Sequence, residues 1–399
     1  MSNHTLPTSN MDVFRDMLSN PGKTYKGLIQ IINDVEVIKA TVISHPSDIG
    51  GCGHIRNMFP MGYMNATYGR SGTFELIQSP RFINQPDILA ITRSIFFQRV
   101  MNPDAASTIQ EYHKHKDTYG YKMIYDIDDF IWEGDGTFEG LPKYNYGYYH
   151  LTKEMRDTSV ACMRLMDTIC VSTEYLRDYI HQTFDIPLKK FVIVPNTVAQ
   201  FFWGTERKAP IKYTIKKPRV IWTGSPTHWN DDRQLPGDMG NAWQEWVREN
   251  VISGKIDYIQ MGGCPYFFKD IEDKITIVPW VNSYKYHLVV KALKPDFAIG
   301  PLVPNHFNFS KSDLKAVEMY AIGTVFIGTV FACKMPSPYD DVFVKALDTV
   351  TVKDIDDLFW ELTDPEKYNK VMNAQYEYMK TEGRYTESPR NVNLLASIF

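Results

Sequence analysis

Short, nearly continuous apolar runs recur along the chain, separated by stretches in which apolar residues return every three or four positions. The first series consists of Ile38–Ser44 (IKATVIS), Asp87–Thr92 (DILAIT), Lys122–Tyr125 (KMIY), Thr168–Ser172 (TICVS) and Phe191–Val194 (FVIV). Runs rich in β-branched residues and lacking polar alternation suit strands covered on both faces, and the helical stretches between them supply the crossovers that parallel strands need. A polar, lysine-bearing segment, Thr205–Lys217, interrupts this order. The second series then runs Arg219–Thr223, Ile256–Met261, Ile275–Val278, Asp296–Ile299 and Thr324–Ile327. The pattern predicts an α/β protein of two Rossmann-like, doubly wound domains facing each other across a cleft. Their expected bounds are 35–204 and 205–399, with the last helices able to pack back on the first domain. Residues 1–34 read as an extension with short amphipathic helices around Val13–Leu18 and Leu28–Ile32. A length of 399 residues exceeds one ordinary core and fits two.

Composition narrows the class. With 44% hydrophobic and 23% charged residues the chain is globular, and a net charge of −4 excludes a surface that is basic throughout. A locally positive groove remains compatible with that balance. No run approaches the roughly 18 apolar residues of a membrane span, and MSNHTLPTSN lacks the pattern of a secretory leader. The five cysteines, Cys52, Cys162, Cys170, Cys264 and Cys333, are odd in number and show no C-x-x-C spacing. They read as reduced core residues, which places the protein in the cytoplasm with neither a structural metal nor a disulfide framework.

In open α/β sheets, ligands sit beyond the carboxyl ends of the strands. The unusual clusters of this sequence fall at those ends. In GPLVPNHFNFSKSDLKAVEMYAIGTVFIG (Gly300–Gly328) a loop with Asn305, Asn308 and Ser310 leads into a helix starting near Ser312. Its first turn offers unpaired N–H groups for phosphate, Lys311 adds a full positive charge, and Glu318 two turns on can accept from a ribose diol. A plain capped helix with Lys311 and Ser312 in water is the alternative. In IWTGSPTHWNDD (Ile221–Asp232) the Gly224-Ser225 turn lets backbone approach a ligand; His228 and Asp231 read equally as sugar contacts or a surface pair. Trp280, in IVPWVNSY, stacks on a base or belongs to the core. In the first series, the loop GGCGHIR brings Gly51, His54 and Arg56 to a strand end, and YDIDDFIW brings Asp126, Asp128 and Asp129. Those carboxylates suit orienting or deprotonating an acceptor hydroxyl, holding a divalent cation as a D-x-D pair, or capping a helix.

The Gly300–Gly328 segment resembles the donor-binding motif of family-4-type, retaining glycosyltransferases of the GT-B fold, in the variant FN-x-SKSD-x-K-x-x-E. That family usually carries two glutamates with seven residues between them; Glu318 matches the second, and Ser310 stands at the first. The resemblance implies that Lys311 neutralises the donor diphosphate and takes part in catalysis. It also implies that amides around Ser310–Asp313, Ser312 among them, bind sugar or phosphate, and that the Gly224-Ser225 amides face the diphosphate from the other side. Gly51, Arg56, His228 and Trp280 complete the implied donor set, and Asp126, Asp128 and Asp129 the catalytic one. No metal or other cofactor is implied beyond a UDP-sugar as co-substrate.

The acceptor side is read from a second pattern. Cys52–Arg99 holds five arginines (Arg56, Arg70, Arg81, Arg93, Arg99) and no lysine, and LPKYNYGYYHL (Leu141–Leu151) is aromatic-rich. Arginines beside exposed aromatics suit a polyanion with stackable bases, and equally a scattered surface. The segments SHPSDIGGCGHIRNMFP, DTICVSTEYLRDYI and SPYDDVFVK resemble glycosyltransferases of T-even-type bacteriophages. These transfer glucose, or a pentose such as arabinose, to 5-hydroxymethylcytosine in phage DNA. The resemblance implies DNA modification in the host cytoplasm, with His54, Arg93, Tyr146 and Tyr148 as acceptor contacts. The alternative is a GT-B enzyme of cell-envelope or polysaccharide synthesis with a non-DNA acceptor.

Overall fold

The computed structural model describes residues 29–32, 35–38, 40–48, 51–69, 74–79, 83, 85–204, 208–225, 227–235 and 237–399. The expected helix at Val13–Leu18 lies outside them. Where a second helix was expected, β1 (Ile29–Ile32) instead pairs antiparallel with β2 (Val35–Ile38), Ile29 opposite Ile38. The β-branched sequences IQII and VEVI favour extended backbone, which overrides a short helical periodicity.

The first large sheet contains β3 (Ala40–His45), β4 (Phe74–Gln78), β5 (Thr92–Gln98), β6 (Lys122–Ile127), β7 (Thr168–Val171) and β8 (Phe191–Ile193). They lie side by side in the order β4-β3-β5-β6-β7-β8, all parallel. The second contains β9 (Arg219–Thr223), β10 (Asp257–Met261), β11 (Thr276–Val278), β12 (Phe297–Gly300), β13 (Val325–Val330) and β14 (Val344–Leu347). Its order is β11-β10-β9-β12-β13-β14, again all parallel. The edge strands β4 and β14 were not anticipated; the Val344–Leu347 pattern of alternating burial, unlike the central runs, carries only half the apolar signal.

One expected strand is corrected. Asp87–Thr92 is mostly helical (Pro86–Ile91), and the strand is the next segment, Thr92–Gln98. Pro86 in the first turn presets the helical φ, while Ile95, Phe96 and Phe97 supply the buried run that pairs with β3 and β6. Arg93 therefore stands at the amino end of a strand, not at its carboxyl end. A second shift moves Asp126 inside β6, which runs on to Ile127.

Each sheet is covered on both faces. In the first, Ile43, Ile95, Phe97, Met123 and Tyr125 pack under the helices Pro103–Tyr119 and Lys153–Leu165. The opposite face (Val42, Phe96, Ile124, Cys170) is closed by the last helix of the chain, Pro389–Ile398, through Val392, Leu395 and Ile398. The end of that helix is pinned where Arg93 Nε and Ser94 Oγ donate to the Phe399 main-chain oxygen, at 2.8 and 2.9 Å. The chain thus returns from the second sheet to complete the core of the first. Replacing Leu395 with alanine removes a buried anchor of this return, and a loss of about 2–5 kcal/mol is expected for such a deletion. Calorimetry should show a lowered unfolding temperature for Leu395→Ala.

Candidate active site

A cavity of about 320 Å³ opens between the carboxyl ends of the two sheets. From the second half come Thr223, Gly224 and Ser225 after β9, Gly262 after β10, Trp280 after β11, and Leu314, Lys315 and Glu318 on the helix Leu314–Ala321. Gly51, Cys52 and Asp128 form the opposite wall. The turns at Gly224 and Gly262 pack backbone to backbone: a Cβ on Gly262, whose φ is +106°, would lie 1.7 Å from the Gly224 oxygen. Only glycine fits there.

Glu318 is buried and accepts from the Tyr286 hydroxyl at 3.1 Å. Burial pushes its carboxyl up to about 7, against the opposing pull of Tyr286 and of the Lys315 charge. A desolvated carboxylate on a cavity wall is well placed to accept hydrogen bonds from a diol. Tyr286, which sequence reading missed, sits in the helix Ser283–Leu293. Trp280 is 65% exposed at the rim, which rules out its reading as a core residue.

Beside Glu318 lies a buried polar chain. His228 Nδ1 lies 2.5 Å from Asp238, and its Nε2 lies 3.2 Å from Lys315 Nζ. Asp238 also accepts from Asn308 (2.6 Å), from Lys311 (3.3 Å) and from the Tyr144 hydroxyl. Burial, reinforced by the charges of Lys311 and Lys315, lowers His228 to about 3, so its ring is neutral. Asp231 is not paired with His228: it accepts from the Trp229 indole at 2.9 Å and from the Tyr266 amide at 2.6 Å.

Several expected donor contacts are corrected. Lys311 does not line this cavity; with Ser312 it borders a second one, of about 480 Å³, among Asp178, Asp313, Asp340 and Asp341. The Ser310 and Lys311 amides donate to His306 and Asn308 at 3.1 and 3.4 Å, and the Ser310 hydroxyl donates to Phe307 at 2.9 Å. The Ser312 hydroxyl accepts from Asn196 at 2.8 Å. The Gly224 amide donates to Met261 at 3.0 Å. A short helix, His306–Phe309, precedes the expected one and takes up the Ser310 and Lys311 amides. Arg56 is buried away from the cavity, its guanidinium paired with Asp126 and donating to Val194 and to Asn196 (3.0 Å).

That pairing also removes Asp126 from the candidate catalytic groups, since it is buried and both its carboxylate oxygens accept from Arg56. Asp129 accepts from Arg99 at 2.6 Å and from the Cys52 thiol at 3.5 Å. Asp128 alone of the three carboxylates lines the cavity, and its Oδ1 is buried without a hydrogen-bond partner among the described residues. Burial, then repulsion from Asp129, raises it to about 7. Among the described residues, Cys52, Asp128 and Asp129 form the one group whose atoms are close enough to share a cation, within 4.8 Å. Arg99 already supplies positive charge there: its guanidinium contacts Asp129, the Cys52 sulfur and, at 3.2 Å, Asp48.

The acceptor residues scatter. His54 is buried at the seam, edge-on to Tyr284 with ring centroids 4.5 Å apart, and Arg93 is committed to Phe399 on the far side of the sheet. Tyr146 and Tyr148 are exposed on a short helix, Tyr146–His150, where Tyr146 stacks on His150 and the neighbouring Tyr149 lies under Arg233 of the second half, 4.0 Å from ring centre. Arg70 and Arg81 lie outside the described residues. No helix among the described residues is long and apolar enough to cross a membrane.

No family model and no curated protein matches the chain. Solved structures match it in fold. A glycosyltransferase from Rickettsia africae aligns with TM-score 0.57 and 10% identity, over 90% of this chain and 97% of that one. HepE of Anabaena in complex with UDP aligns with TM-score 0.54 and 8% identity, over 90% and 99%. The same protein in complex with UDP-glucose gives TM-score 0.53, also at 8% identity over 90% and 99%. At such identities the likeness is one of architecture: two parallel six-stranded sheets with helices, the GT-B arrangement anticipated from the sequence.

The carboxyl at 318 generates a stability prediction. Folding raises it from 4.5 to about 7, so the folded protein holds this proton more tightly than the unfolded chain. Its contribution is therefore most favourable at acid pH and declines as pH rises from about 4.5 to about 7. Glu318→Gln, neutral throughout, should unfold at higher temperature than the wild type at pH 8, and the gap should close near pH 5. Thermal unfolding across that range measures it.

Proposed function

We propose that the protein is a metal-independent glycosyltransferase that moves a sugar from a nucleoside diphosphate donor, and that the donor lies in the 320 Å³ cavity. The observation that carries this reading is the pairing of Glu318, beside Tyr286, with a glycine-lined backbone wall and an exposed Trp280 in one cleft. Such a cleft matches a ribose diol, a pyrophosphate and a base in turn. The fold neighbours support the same chemistry: the Rickettsia africae protein is a glycosyltransferase, and HepE of Anabaena binds UDP and UDP-glucose.

In the reaction, the bond from the anomeric carbon to the diphosphate oxygen breaks and a bond to an acceptor oxygen forms. The acceptor proton passes to the departing diphosphate, and the configuration is retained. Asp128, on the wall opposite the donor groups, orients the acceptor hydroxyl. Asp126 has no part in this, since Arg56 holds it.

For the donor we propose UDP-glucose or a UDP-pentose such as UDP-arabinose, and for the acceptor 5-hydroxymethylcytosine in DNA. The acceptor rests on the resemblance to T-even-type phage enzymes, and the exposed Tyr146 and Tyr148, next to Tyr149 with its Arg233 contact, supply a surface on which bases can stack.

Nucleoside mass spectrometry of hydroxymethylated and unmodified DNA, incubated with a panel of UDP-sugars, tests this. A mass gain of one hexose or pentose confined to hydroxymethylated DNA is expected. No gain with any sugar, alongside clear binding of a UDP-sugar, would leave a glycosyltransferase with a polysaccharide or envelope acceptor. Asp128→Asn should lower transfer by about a hundredfold through loss of acceptor orientation while donor affinity stays near that of the wild type, whereas Asp129→Asn should lose less.

A further inference from the structure

Transfer from a nucleoside diphosphate sugar requires positive charge at the diphosphate, because negative charge builds on it as the glycosidic bond breaks. The two cations expected to supply it are elsewhere: Arg56 is locked to Asp126, and Lys311 borders the other cavity. Among the described residues lining the donor cavity, Lys315 is the only lysine or arginine. It lies one turn before Glu318 on the same helix, so both side chains share a face.

How Lys315 is held follows from the His228 tautomer. Asp238 cannot donate in its ionised form, and burial is outweighed there by Lys311 and the His228 contact, which keep it ionised. Lys311 Nζ also lies 3.3 Å from Nδ1, but the ionised Asp238 is nearer, at 2.5 Å, so His228 carries its proton on Nδ1 and gives it to Asp238. Nε2 is left as an acceptor, and the Lys315 ammonium donates to it at 3.2 Å. Asp238 in turn is fixed by Asn308 and Tyr144. The ammonium is thus restrained beside the Gly224-Ser225 turn by a neutral ring, which does not consume its charge.

We propose that Lys315, positioned by the His228–Asp238 pair, is the cation that binds the donor diphosphate, in the role that the family resemblance implied for Lys311. This rests on the donor reading above.

The charged and titratable groups facing Lys315 are His228, Lys311, Asp238 and Glu318, with Asp128, Cys52, Tyr286 and His287 on the other cavity walls. Burial, then repulsion from Lys311, lowers the Lys315 amine to about 7. Above that pH the empty site loses its cation, and donor binding must take a proton up. An arginine at 315 stays charged throughout. Glu318 feels the charge at 315 and ionises near the same pH, so the two profiles are compared in a Glu318→Gln background, which isolates Lys315.

The test is calorimetric titration with UDP-, GDP- and ADP-glucose between pH 6 and 8.5. A diphosphate esterified on both sides has no proton to lose in that range. At pH 6.5, Lys315→Met should weaken the bound donor by at least about tenfold, and Lys315→Arg should stay within about threefold of the wild type. From pH 6.5 to 8.5, in the Glu318→Gln background, affinity with Lys315 in place should fall relative to Lys315→Arg. His228→Ala should weaken binding in the wild-type background but add nothing to Lys315→Met. If Lys315→Met binds like the wild type at every pH, the proposal fails while the donor reading stands; if the wild type binds no nucleotide sugar, both fail. Additive losses for His228 and Lys315 would overturn the positioning role of the histidine.

Discussion

A single buried anion ties the halves of the molecule together. Asp238 is almost wholly enclosed, and an isolated carboxylate in such a place would be strongly unfavourable. It is tolerated because donors converge on it from three directions: His228 from its own turn, Lys311 and Asn308 from the segment after β12, and Tyr144 from the first half. Removing any one partner leaves polar groups unpaired in the seam, so the relative placement of the halves and the ionisation of the site are set together.

Around that anion the seam is built from loops at strand ends. His306 donates its amide to Glu139, its ring meets the Tyr175 hydroxyl at 2.6 Å, and Thr173 donates to the Ser310 oxygen at 3.0 Å. Phe307, although it belongs to the second half, is buried in the core of the first. The last helix does the same from the other end, with Phe399 packed against Phe74 and Phe96. The two sheets are therefore joined by elements that cross the seam, since Phe307 and the last helix, both following the second sheet's first strands, complete the core of the first.

Much of the architecture was legible because central parallel strands must be apolar on both faces. Runs such as RVIWT and FAIG declare themselves whatever surrounds them. Strand edges were less so: FELIQ at Phe74–Gln78 buries only Phe74 fully, and DILAIT is as apolar as a strand but follows a helix-starting Pro86. One misplaced boundary had consequences for the site, since it put Arg93 at the wrong end of β5. Another hid the fact that Asp126 lies within β6 and faces Arg56.

The sequence by itself determined most of the central strands of both sheets, the glycine turns, and the neighbourhood of the candidate site, because local periodicity and strand-end placement depend on nearby residues. It singled out Glu318, Gly224, Trp280 and the aspartate cluster for the same reason. Only the tertiary structure decided which charges are free to act. Arg56 and Asp126 are 70 residues apart and cancel each other; Lys311 turns to Asp238, 73 residues away, and leaves Lys315 to face the cavity. Charge pairing of this kind is fixed by distances across the fold, and nothing in the spacing of SKSDLK distinguishes one lysine's partner from the other's.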